Sequence, residues 1–69
     1  MKEWENKAID VIKEAKATIK KDPESYPLGW EEIAVYNLQA QMKNRGIFVD
    51  SHLDSIRIDM AKQFINMVT

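Results

Sequence analysis

Both prolines of this chain and one of its two glycines fall between Asp22 and Gly29, and the other glycine is Gly46. These two interruptions leave three stretches without helix breakers. In each, apolar residues recur at helical rather than alternating spacing. The expected fold is therefore all-α: one domain over residues 1–69, a small three-helix bundle with helices at about 3–21, 29–45 and 51–67.

The first helix carries the plainest pattern. Trp4, Ala8, Val11, Ile12, Ala15 and Ile19 fall within about a third of the circumference at ~100° per residue. Glutamates at its start and Lys20-Lys21 at its end suit the helix dipole. In the connector, Asp22 before Pro23 can cap a single short turn. Gly29 as N-cap of the second helix puts Glu32 at N3 and sets Leu28 and Ile33 as a hydrophobic staple. Gly46 as a left-handed C′ residue ends that helix, with Ile47 placed to touch Met42 as in a Schellman ending. Ser51-His52-Leu53-Asp54 fits the Ser-x-x-acid pattern that opens a helix. Ile47-Phe48-Val49 is too short a run to make a sheet and is expected to plug one end of the bundle.

Apolar residues on the other two helices are spread more widely. The second has Ala34, Val35, Leu38 and Met42 on one side, and Trp30, Ile33 and Ala40 on another. The third has two stripes: Leu53, Ile56, Met60, Phe64 and Met67, then Ile58, Ala61, Ile65 and Val68. Together these cover about half the circumference or more. Either the helix is central and packs on both neighbours, or one stripe is a dimer or partner surface; an arc this wide can serve both. Arg57 falls between the stripes, where a charge needs a partner. Asp54 is in reach at i−3, so Arg57 is expected to snorkel to the bundle edge and pair there, or else to serve an interface.

Size gives the interface reading its force. A chain of 69 residues without cysteine and with one histidine has no disulfide and no histidine pair for a zinc site. Cores this small rarely supply more than roughly 3–5 kcal/mol, so good helix packing or dimerisation must complete the bundle. Six aromatics, Trp4, Tyr26, Trp30, Tyr36, Phe48 and Phe64, exceed what such a core hides. With adaptable Met42, Met60 and Met67 they suit a protein-binding patch, or they staple the connector to the bundle.

Chemistry is poorly represented. Ser51, His52 and Asp54 splay apart on one helix start and are better used as caps than as a triad. Glu31 and Glu32 point about 100° apart, so they favour the helix N-terminus rather than converge on a substrate atom. Asp50 to Asp54 lacks calcium-loop spacing, and two glycines seventeen positions apart make no phosphate loop. No enzyme, cofactor, metal or small-molecule substrate is expected. The charged first 21 residues and short apolar runs suit no signal peptide or membrane helix, so the expected compartment is the cytoplasm.

Two functional classes remain. The leading one is a non-enzymatic protein-binding or self-associating module, an accessory factor acting on a larger partner. Its candidate residues are Trp30, Tyr36, Arg57, Ile58, Met60, Phe64, Ile65 and Val68. The alternative is a nucleic-acid-binding regulator of helix-turn-helix-like topology. It would use the Lys13, Lys16 and Lys20 row with Lys43 and Arg45. A net charge of −1, and Asp59 opposing a single Lys62 on the third helix's polar face, disfavour it.

Overall fold

Trp4, Ala8, Val11, Ile12 and Ala15 are all buried, so the stripe expected on the first helix is the face it turns inward. That helix, α1, spans Lys2–Lys21 in a computed structural model that describes residues 2–46 and 54–69. A short 3-10 turn at Pro23–Ser25 follows, then α2 at Trp30–Asn44 and α3 at Asp54–Val68. The fold is an all-α three-helix bundle in which each helix packs on the other two. Four alanines, Ala8, Ala15, Ala34 and Ala61, are wholly buried, and their small side chains let the helix backbones approach closely. Leu38, Met42 and Val11 fill the space between them.

Asp22 stands at the N-cap of the short turn with Pro23 after it, as expected, but its side chain makes no capping hydrogen bond. Thr18 Oγ1 donates to Glu14 O at 2.9 Å, and the Asp22 N–H donates to Thr18 O at 3.1 Å, closing α1. Ser25 Oγ donates to Asp22 Oδ2 at 2.6 Å, which ties the short turn together. The Gly29 N–H donates to Tyr26 O at 3.2 Å, and Gly29 caps α2 with φ +89° and ψ −177°. That backbone conformation is nearly exclusive to glycine. Leu28, however, is 73% exposed, so the expected clamp between Leu28 and Ile33 does not form.

At its other end α2 stops where the glycine stands. Arg45 N–H donates to Gln41 O at 3.1 Å and Gly46 N–H to Lys43 O at 3.0 Å, with Gly46 at φ +80°. The second of these is the inner bond of a Schellman ending. The contact of Ile47 with Met42, the Ile47-Phe48-Val49 plug and the Ser51–Leu53 start of the third helix lie outside the described residues. Arg45 Nη1 meets Glu3 Oε1 at 2.7 Å, while Lys16 Nζ lies 4.9 Å from the Trp30 ring centre. One contact joins the start of α1 to the end of α2 and the other does the reverse, so the two helices run antiparallel.

α3 resolves the question its two stripes raise. Arg57, Ala61 and Ile65 are its buried residues, at i, i+4 and i+8. Val68 continues this line further along the helix, Ile58 flanks it on one side and Met60 and Phe64 on the other, all partly buried against the core. The second stripe thus lies at the centre of the inward face and the first forms one shoulder of it, and α3 packs on α1 and α2 together. Only Ile56 and Met67 of the first stripe's described members stand exposed.

Arg57 consequently departs from expectation in one respect and meets it in another. It pairs with Asp54, as the spacing predicts, but it does not snorkel: none of its surface is exposed, and it is the largest fully buried side chain. A position in line with Ala61 and Ile65 on the inward face has no edge to reach. The Asp54 side chain is about half exposed, so it holds the guanidinium from the rim of the core.

Candidate interaction surface

The inward turn of α3 leaves an open groove between it and α2, with a volume of about 430 Å³. Val35 and Ile65, both buried, form its floor, and partly buried Ile58 extends the apolar surface up the α3 wall. Leu28 and Tyr36 stand at its lips, 73% and 55% exposed. On α2 the lining recurs at 31 and 32, 35 and 36, with Leu28 added from the connector; on α3 it recurs at 58, 62, 65 and 66. That is helical spacing on both sides, so one face of each helix makes the groove.

The charge on the two walls is opposite. Glu31 and Glu32 line the α2 side at the helix N-terminus, where the dipole favours them. Lys62 and Asn66 line the α3 side. None of the three charged groups takes part in an ion pair among the described residues. An apolar floor, exposed large side chains at the lips and charge without an ion pair on the rim are the features of a surface that receives another chain.

Of the residues singled out from the sequence, Tyr36, Ile58 and Ile65 are brought together in this groove. Trp30, Met60, Phe64 and Val68 are not; they pack, partly buried, against the core, and Lys16 lies over the Trp30 ring. Arg57 is inside the bundle and offers a partner no surface. Leu28, Glu31, Glu32, Val35, Lys62 and Asn66 belong to the groove without having been singled out. Their i, i+3/i+4 spacing was visible, but nothing local says that these two helix faces adjoin.

The basic residues of the nucleic-acid alternative are not gathered into one face. Lys13, Lys16 and Lys20 are exposed along the second half of α1, and Lys43 is exposed near the end of α2. Arg45 is paired with Glu3 at the opposite end of the antiparallel pair. Thirteen residues of helix between Glu3 and Lys16 span ~20 Å, which separates the two basic groups.

Among the described residues, no three His, Asp or Glu side chains gather as a metal site would require. No helix among them is long and apolar enough to cross a membrane. Comparison with protein-family models, curated proteins and solved structures returns no match.

Proposed function

We propose that this protein is a small, non-enzymatic protein-binding module of the cytoplasm, an accessory factor that engages its partner through the α2–α3 groove. The observation that carries this reading is the placement of Leu28 and Tyr36, large and exposed, over an apolar floor. An exposed leucine that a bundle could have buried loses its transfer free energy in the free protein and recovers it when a partner covers the site. Tyrosine at such a rim supplies both area and a hydroxyl, the combination enriched at binding hot spots.

A displayed library of short amphipathic peptides tests the reading. Selected peptides are expected to perturb amide signals of residues 28–36 and 58–66 and to lose binding to the Leu28→Ser/Tyr36→Ser variant. Selection of peptides that bind that variant equally well, or perturbations confined to α1, would overturn it.

A further inference from the structure

We propose that the occupant of the groove is the same groove of a second copy of this chain, an inference that rests on the groove being the binding surface. Shape, charge and size each support self-pairing.

In shape, the face presents both a recess and the side chains suited to enter one. Leu28, 73% exposed, and Tyr36, 55% exposed, rise beside a hollow of about 430 Å³. A two-fold rotation brings the lip that carries Leu28 and Tyr36 in each copy against the α3 wall of the other, so the same exposed side chains are covered twice, as a closed dimer requires.

In charge, the α2 wall is acidic through Glu31 and Glu32, and the α3 wall is basic through Lys62. A two-fold axis along the groove lays α2 of one copy over α3 of the other. Each glutamate pair then faces a lysine that has no ion-pair partner within its own chain among the described residues. The attraction is formed twice by symmetry. A partner of uniform charge would satisfy one wall and be repelled by the other.

In size, an ordinary stable interface takes about 800 Å² from each partner, roughly one sixth of the 4812 Å² this chain exposes. One flank of a three-helix bundle can supply that area. A core this small also gains most from a second chain.

Sedimentation velocity on the full chain over a wide concentration range is the test. The expected result is a monomer–dimer equilibrium that Leu28→Ser/Tyr36→Ser weakens by about tenfold or more, with helical content by circular dichroism unchanged. Glu31→Lys/Glu32→Lys and Lys62→Glu should each weaken association alone, and an equimolar mixture of the two variants should restore it as a heterodimer. A chain monomeric at every concentration overturns the proposal, as does a dimer indifferent to the groove substitutions or a mixture that restores nothing. Of these failures, a monomer whose groove still takes displayed peptides leaves the binding-surface reading standing. A monomer whose groove takes none removes both.

Discussion

Arg57, fully enclosed at the centre of the bundle, is ion-paired to Asp54, whose side chain stands about half in water. The pair sits within the first turn of α3, so the acid that suits the helix dipole also reaches the buried cation. Taking a guanidinium out of water is expensive, and ion pairing in a buried site commonly offsets only part of that cost.

Replacing the arginine should then be mild. Arg57→Met keeps most of the volume and removes the desolvation penalty, and we expect it to leave stability unchanged or raise it by about 1–4 kcal/mol. Asp54→Asn, which weakens the ion pair but keeps the buried charge, should cost about 1–3 kcal/mol. Urea denaturation of the two variants beside the parent chain checks the order. A parent-like Asp54→Asn together with an unfolded Arg57→Met would contradict it.

The two glycines should respond differently to the same substitution. An added Cβ meets nothing within 4 Å at either position, so any cost is backbone strain alone. Gly46, at φ +80°, ends a helix in the left-handed region, where Ala costs about 1–2 kcal/mol and Asn is tolerated. Gly29 combines φ +89° with ψ −177°, a region nearly closed to other residues, and should cost up to about 3 kcal/mol. Asn is expected to recover much of the loss at 46 and little at 29. Thermal melts of the four single variants distinguish the two sites.

Trp30 reports on the contact between α1 and α2. Trp4 is only 5% exposed and Trp30 is partly buried beneath Lys16, whose Nζ lies 4.9 Å from the ring centre. Acrylamide should quench Trp30 more than Trp4, which Trp4→Phe and Trp30→Phe separate. Lys16→Ala should raise quenching at Trp30 and lower stability by about 0.5–1 kcal/mol. If Lys16→Ala leaves quenching unchanged, the lysine does not shield the ring.

The Glu3–Arg45 bridge should matter little despite joining residues 42 positions apart in the chain. Its side chains are 57% and 54% exposed, so Arg45→Ala is expected to cost no more than about 1 kcal/mol, and less at high salt. Leu38→Ala, at a wholly buried position, should by contrast cost about 3 kcal/mol or more, most of what so small a core supplies. Parallel urea titrations at two salt concentrations would show whether the two losses separate as expected.

Titration with random duplex DNA at low ionic strength addresses the basic residues. We expect no shift, because the α1 lysines and the Lys43–Arg45 pair stand at opposite ends of the antiparallel helices. Salt-dependent binding that disappears in Lys13→Glu/Lys16→Glu/Lys20→Glu would instead establish α1 as a phosphate-contacting face.

The sequence alone determined three helices and where the first two stop, because those signals are local. Proline fixes φ, Gly46 accepts a left-handed conformation, and the single stripe from Trp4 to Ala15 has only one way to face a core. α3 was different: an apolar arc of half the circumference does not specify a direction. Only the positions of α1 and α2 turned its second stripe inward, with Arg57 in line with Ala61 and Ile65, and that sealed Arg57 inside. The groove has the same origin. Val35 and Tyr36 are read from α2 and Ile58 and Ile65 from α3, but their meeting depends on how the two helices pack, which no local signal encodes. Even the one local prediction about its lip, the clamp of Leu28 on Ile33, does not hold, since Leu28 stands exposed. Near-neighbour chemistry decides which residues become helix. Which faces adjoin is decided by long-range packing, and the surface available to a partner is what that packing leaves over.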